Sequence, residues 1–302
     1  MKVLLLNPPF PEMLLRDNYC CHTSKGDYVW APTDLLYVSG NLSHPDIEQK
    51  VIDAIVEKKS SEKVIAEIED FQPDVIVALS GTASFVSDME LLAKVKDRIK
   101  CRLYVMGNIA AFEPRAFLNK FPMIDGIFHN FFDEKILPFV LNPLHTAKSI
   151  SARLPDGSII LGEVNYLGKH EIPQPLPPNY SLFPLHLYST PISLRSPMAS
   201  VITSFGCPYV CKFCVASGLN LYHRSIENIE LEFDEIHRNG VREIFFMDST
   251  FNTSHARVRE ICELMLKKNY GFTWSCNVHS HRNLNQTFTL MKKAGCHTIQ
   301  IG

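Results

Sequence analysis

Short apolar runs alternate with amphipathic stretches along the first 142 residues. The runs at 2–6, 50–53, 74–79, 102–106 and 126–129 are dense in Val, Ile, Leu and aromatic residues. Between them, 61–71 and 86–99 bring apolar residues round every three or four positions and leave charged residues on the opposite face. Buried strands separated by one-sided helices predict an α/β fold with a doubly wound parallel sheet. In such sheets ligands sit beyond the carboxyl ends of the strands. Here those ends are Asn7-Pro8-Pro9, Asp53-Ala54, Ser80-Gly81-Thr82 and Gly107-Asn108, where a flat, bulky ligand is expected.

The rhythm changes over 143–196. A small hairpin is predicted around Pro155-Asp156-Gly157, followed by the proline-rich passage Ile172-Pro-Gln-Pro-Leu-Pro-Pro-Asn-Tyr180. Proline fixes φ and removes a donor, so this passage reads as an extended surface linker between two domains, 1–142 and 197–302. Beyond it the alternation resumes. Strands are predicted at 199–205, 242–248, 272–278 and 297–301, and helices at 225–239, 254–269 and 284–294. This is barrel-type βα repetition, with function expected at the carboxyl strand ends. The pattern stops at its fourth strand, so a partial barrel is expected, either a fragment or a protein lacking half its barrel, with 298–302 as an apolar edge.

Composition narrows the partners. The chain has 302 residues, with 30 Lys+Arg against 32 Asp+Glu and a formal net charge of −2. That balance gives no electrostatic reason to expect nucleic acid or an anionic membrane as partner. No stretch approaches the roughly 20 apolar residues of a membrane span. The apolar run after Met1 is too short for a signal peptide and ends in Pro8-Pro9, so it reads as a first strand. Nine cysteines without a targeting segment imply a reducing, cytoplasmic setting.

Three of those cysteines fall in one window, Cys207-Pro-Tyr-Val-Cys211-Lys-Phe-Cys214, directly after the strand predicted at 199–205. Three soft thiolates at C-x3-C-x2-C spacing can hold three corners of a [4Fe–4S] cube and leave the fourth iron open to a substrate or cofactor. Tetrahedral zinc is the competing reading, but its fourth ligand would come from afar, with His223 as a candidate. The spacing is not that of a ferredoxin.

Cys207, Cys211 and Cys214, with Phe213 before the last of them, resemble the motif of the radical S-adenosylmethionine (SAM) superfamily. The N-terminal half and connecting segment are similar to its cobalamin-binding branch. The resemblance implies that the open iron chelates SAM. One electron then cleaves SAM to a 5′-deoxyadenosyl radical, with the bond-breaking supplied by the cofactor and the positioning by the protein. It places Phe213 as an apolar wall near the adenine, unless Phe213 is an ordinary buried aromatic. Asp248, Ser249 and Thr250 would meet the amino group of SAM, unless they cap the following helix. On the first domain it implies a Rossmann-like cobalamin site, with Gly107 and Asn108 in a glycine-type loop and Ser80, Gly81 and Thr82 beside the nucleotide tail. No Asp-x-His-x-x-Gly run is present in 1–150, so only the histidine-ligated mode is excluded. Trp30 is expected either at the cofactor's upper face or in the core.

His279, His281 and Arg282 stand where the branch often has an arginine, and no residue is assigned as catalytic. Arg224 is expected on a solvated face, with the anchoring of a carboxylate or phosphate as the alternative. The activity implied is that of a methyltransferase, acting from methylcobalamin on an unactivated carbon of a small-molecule substrate, with flavodoxin or ferredoxin as electron donor. Cyclisation, oxidation, or a non-catalytic iron–sulfur fragment are the alternatives.

Overall fold

Helix formation in the first module follows the sequence directly. The helix at Ser61–Phe71 starts where the Ser60 hydroxyl accepts a hydrogen bond from the Lys63 N–H, and it buries Val64, Ile65, Ile68 and Phe71 along one face. It ends at Gln72, which takes a left-handed conformation with φ 51°. The structure is a computed structural model, and it describes residues 1–17, 21–163, 174–214, 216–217, 219–280 and 285–301.

The elements of the first module, in chain order, are β1 (Lys2–Asn7), a hairpin of β2 (Leu14–Arg16) and β3 (Cys21–Thr23), α1 (Thr33–Asn41), β4 (Glu48–Asp53), α2 (Ser61–Phe71) and β5 (Val75–Leu79). They continue with α3 (Phe85–Arg98), β6 (Arg102–Met106), α4 (Asn108–Phe112), α5 (Pro114–Lys120), β7 (Gly126–Phe128), α6 (Ile136–Leu141), β8 (Ile150–Arg153) and β9 (Ile159–Ile160). The sheet runs β4-β1-β5-β6-β7-β8-β9, with the first five strands parallel and the last two antiparallel. Strand order therefore reverses between β1 and β5, the topological switch point of a flavodoxin-like sheet.

The segment expected as a linker differs from that expectation. The hairpin around Pro155-Asp156-Gly157 is β8–β9, and it extends the first sheet. Further on, Tyr180, Phe183, Leu185 and Tyr188 are buried. Their aromatic and aliphatic bulk packs the segment into the core, which is why it does not run free over the surface. Residues 164–173, including Ile172 and Pro173 at the start of the passage, lie outside the described residues.

The second module contains β10 (Met198–Val201), β11 (Ser204–Phe205), β12 (Tyr222–His223), α7 (Ile226–Arg238), β13 (Glu243–Phe246), α8 (His255–Lys268), β14 (Thr273–Val278), α9 (Asn285–Lys293) and β15 (Cys296–Ile301). Strands β10, β13, β14 and β15 form a parallel sheet in that order, with β15 at its edge. The single strand predicted at 199–205 is broken at Ile202 and Thr203, and β11 instead pairs antiparallel with β12.

Alternation along the first sheet sends its side chains to two cores. Leu4, Leu6, Ile76, Val105 and Ile127 pack against α2, α3 and α5. On the other face Val3, Leu5, Val77, Tyr104 and Phe128 join a core that continues through Val201, Ile244, Phe246 and Trp274 of the second sheet. The two modules thus share one apolar interior, and burial of this kind stabilises by about 25 cal/mol per Å² of apolar surface. Trp30 is half-buried in it, 5.8 Å from the ring of Phe245.

Candidate functional site

The cysteine loop leaves the C-terminal end of β11 and returns through β12, so its base is a two-stranded ribbon pairing Ser204 with His223 and Phe205 with Tyr222. Gly206 opens the loop with φ +79°, and a Cβ there would lie 2.0 Å from the Asn220 carbonyl oxygen. Only glycine fits both conditions. Cys207 is buried, with its Sγ 3.9 Å from Thr250 Oγ1. Cys211 is half-buried and Cys214 exposed, and the Cys214 N–H donates to the Cys211 carbonyl in a turn. Phe213 is 92% exposed and Val210 77% exposed, so the loop projects apolar groups rather than burying them.

Among the described residues, no group of three His, Cys, Asp or Glu side chains is gathered as a metal cage. His223 is held in β12, paired with Ser204. The donor chemistry is nevertheless three thiols on one loop at a strand's carboxyl end, which suits iron–sulfur ligation.

Asp248 braces the strand that enters the cysteine loop. Its carboxylate is wholly buried and accepts from the Thr203 N–H (2.9 Å) and Oγ1 (3.0 Å), and from the Ser204 N–H and Oγ (2.8 Å). Three of the four donors meet Oδ1 and one meets Oδ2. Burial pushes the Asp248 carboxyl up to about 6 against the pull of those four hydrogen bonds. Thr250 is buried with its hydroxyl donated to the Ser249 carbonyl, while Ser249 is exposed. Of the three expected polar groups, Ser249 alone faces outward.

Ser249 lines a cavity of about 110 Å³ between the modules, together with Asp34, Phe131, Ile202, Ser204 and Met247. This is where the carboxyl ends of the two sheets approach each other. Tyr209 of the cysteine loop stacks on His279 with ring centroids 4.0 Å apart. His281 and Arg282 lie outside the described residues.

The carboxyl edge of the first sheet is partly filled. Arg16 of β2 reaches into the switch-point crevice, where its guanidinium donates to Asn7 Oδ1 (2.8 Å), the Pro8 carbonyl (2.7 Å), Ser84 Oγ (2.9 Å) and Asp88 Oδ1 (2.8 Å). Cys21 of β3 covers Gly81, whose added Cβ would meet Sγ at 2.3 Å. Ser80 and Gly81 are therefore buried, whereas Thr82 and Asn108 are exposed, with Thr82 Oγ1 3.4 Å from Asn108 Oδ1. Gly107 takes φ +133° against the Ser80 carbonyl, where an added Cβ would stand 1.9 Å away. The open lip lies between β5 and β6, flanked by exposed Val86 and Phe112.

The residues that sequence reasoning missed are long-range ones. Arg224, expected on a solvated face, is 1% exposed and pairs with buried Glu232 of α7. The amphipathic pattern of α7 gave one signal, since Glu232 falls among its apolar positions Ile229, Phe233 and Ile236.

Residues 201–302 match the family model of the radical SAM superfamily. Over its whole length the chain is 26% identical to a Pyrococcus horikoshii protein named as an uncharacterized methyltransferase, and it covers 65% of that relative. It is 23% identical over 90% of its length to the anaerobic magnesium-protoporphyrin IX monomethyl ester cyclase of Cereibacter sphaeroides, covering 47% of it. Among solved structures, the whole chain superposes on the cobalamin-dependent SAM radical enzyme OxsB, with aqua-cobalamin and SAM bound, at TM-score 0.70 and 20% identity, covering 43% of it. It superposes equally on the radical SAM methyltransferase TsrM of Kitasatospora setae, with tryptophan and a SAM analogue bound, at TM-score 0.71 and 14% identity, covering 59% of it. Residues 201–302 are thus a radical SAM domain. More particularly, the chain shares the fold of these two solved structures, a Rossmann-like sheet followed by barrel-type βα repeats, and it spans about half to two-thirds of the curated relatives it matches.

Proposed function

We propose that this chain is the cofactor-bearing part of a methyltransferase that acts on an unactivated carbon of a small molecule. The observation that carries the reading is the three-thiol loop at the carboxyl end of β11, inside the segment that matches the radical SAM superfamily. A [4Fe–4S] cluster held by Cys207, Cys211 and Cys214 supplies one-electron cleavage of SAM, and a corrinoid at the first sheet supplies the methyl group.

The chain's own residues have separable tasks. Cys207, Cys211 and Cys214 hold the metal through thiolates, and Asp248 and Gly206 fix the base of their loop. Ser249, on the cavity wall, is placed to meet a polar group of SAM or substrate. Thr82 and Asn108, with Val86 and Phe112, offer a mixed polar and apolar lip to the corrinoid. The apolar cavity wall of Phe131, Ile202 and Met247 excludes water from the ground between the two sites. The electron comes from a flavodoxin- or ferredoxin-type donor, in the cytoplasm. Among the described residues no helix is long and apolar enough to cross a membrane.

The similarity to a cyclase favours a second reading, in which the same site performs a radical cyclisation. Anaerobic reconstitution with iron and sulfide separates these outcomes. The first reading expects a brown protein that cleaves SAM on reduction, retains added hydroxocobalamin through gel filtration, and passes a labelled methyl group to product. SAM cleavage without methyl transfer favours the cyclase reading, and a colourless protein holding one zinc overturns both.

A further inference from the structure

The break between β10 and β11 lies five and four residues ahead of Cys207, and each of its backbone polar groups has a partner from a distant part of the chain. The Ile202 N–H donates to Tyr37 Oη at 2.9 Å, and the Ile202 carbonyl accepts from Arg224 Nη1 at 2.7 Å. The Thr203 N–H goes to Asp248, and the Thr203 carbonyl accepts the Arg224 main-chain N–H at 3.1 Å. Tyr37 belongs to α1, which packs on the first sheet, so its phenol crosses from one module into the strand that enters the cysteine loop in the other.

The phenol is held in turn. Tyr37 is wholly buried, and its Oη lies 3.2 and 3.3 Å from the two Glu232 carboxylate oxygens and 3.1 Å from Arg224 Nη1. Glu232 pairs with Arg224, both side chains fully buried, and also accepts from Tyr180 Oη at 2.6 Å. Burial, then the Glu232 charge, push the Tyr37 phenol well above its ordinary value. It therefore stays protonated, receiving the Ile202 N–H and giving its own proton to the carboxylate. A buried ion pair is weak as a source of stability, because apolar residues of equal volume often do as well. Its place on the strand break is what asks for a role.

We propose that Tyr37 is a positioning residue: through Ile202 and the Arg224–Glu232 pair it sets where Cys207 stands relative to the carboxyl ends of the first sheet. The consequence for catalysis rests on the iron–sulfur reading given above. A shift of the loop's base would move the cluster against whatever is bound at the first sheet, and misplacement of reacting groups by about 1 Å can cost two orders of magnitude in rate.

Y37F tests this, since it keeps the ring and removes only the hydroxyl. Y270F is the control: Tyr270 is also buried, but its phenol donates to Asp234 at 2.6 Å, away from the break. In the metal-free chain, amide exchange at Ile202 and Thr203 is expected to quicken about tenfold in Y37F and to stay unchanged in Y270F. Equal behaviour of the two variants overturns the proposal. In the reconstituted protein, Y37F is expected to keep its iron and sulfide but to alter the electron paramagnetic resonance spectrum of the reduced cluster with SAM, and to cleave SAM about tenfold more slowly per cluster. An unchanged spectrum and rate at full cluster content likewise overturn it. If the wild type takes up no cluster, the iron–sulfur reading fails, while the exchange result still decides whether Tyr37 places the loop. If Y37F does not fold, Y180F, which withdraws the second phenol from Glu232, is expected to quicken the same amides beyond Y270F, and parity with Y270F overturns the proposal.

Discussion

The Asp248 carboxylate accepts hydrogen bonds from both the main-chain N–H and the hydroxyl of Ser204, three residues ahead of Cys207. The end of β13 thereby grips the strand that enters the cysteine loop. Replacement of Asp248 by Asn keeps an acceptor at the Oδ1 position, removes the charge that strengthens its hydrogen bonds and sets an NH2 group against the Thr203 hydroxyl, and D248N is expected to cost about 2 kcal/mol at pH 7 in urea unfolding. The pH dependence has a definite sign. Burial raises the folded pKa from 3.8 to about 6, so on acidification the native chain takes up this proton before the unfolded chain does. Wild type should therefore gain on D248N as pH falls from 7 to 4, by up to about 3 kcal/mol.

His129 should behave in the opposite sense. Burial pulls its imidazole down from 6.5 to about 4, with Nε2 2.7 Å from Ser151 Oγ. Between those values the unfolded chain holds the proton and the native chain does not, so stability falls as pH falls. H129Q should remove up to about 3 kcal/mol of that decline, read as a flatter dependence of unfolding free energy between pH 6.5 and 4.

The three cysteines should separate by burial when no metal is bound. C214A, at an exposed position, is expected to change the stability of the metal-free chain by less than about 0.5 kcal/mol. C207A, which empties a buried site beside Thr250, should cost more, on the order of 1 kcal/mol. Each substitution should abolish iron uptake and colour, measured by iron content and absorbance after anaerobic reconstitution. Full iron retention in any one of them would remove that cysteine from the ligand set.

Gly206 joins two demands at one position, a left-handed φ and a close approach to the Asn220 carbonyl. G206A should lower stability by about 1–3 kcal/mol and weaken the β11–β12 ribbon. A melting temperature and an iron content equal to wild type would show that the loop base tolerates a side chain.

Arg16 fills the switch-point crevice against Asp88, with both side chains almost fully buried. R16M leaves the Asp88 charge without its partner and should destabilise by about 3–5 kcal/mol in chemical unfolding. R16M/D88L, which removes both charges, should recover most of that loss.

Much of the architecture is legible along the chain. Runs such as Val75–Leu79 are apolar at every position because both faces of a central parallel strand are covered, and α2 and α7 carry their starting serines and apolar faces in the sequence. Cys207, Cys211 and Cys214 are legible for a similar reason, since their spacing is local. Asp248 illustrates the limit. Its place at a strand end was readable, but its bracing contacts depend on where the fold brings Thr203 and Ser204.

Sequence by itself determined the alternation of strands and helices, the two-module order and the three-thiol loop, because periodicity and ligand spacing are properties of neighbouring residues. Tertiary structure alone decided that 150–160 extends the first sheet, that Arg16 fills the switch-point crevice, and that Tyr37, Arg224 and Glu232 meet at Ile202. Those contacts join residues up to 195 positions apart. They exist because buried polar groups must find partners wherever the fold brings them, and no local pattern records which partner that will be.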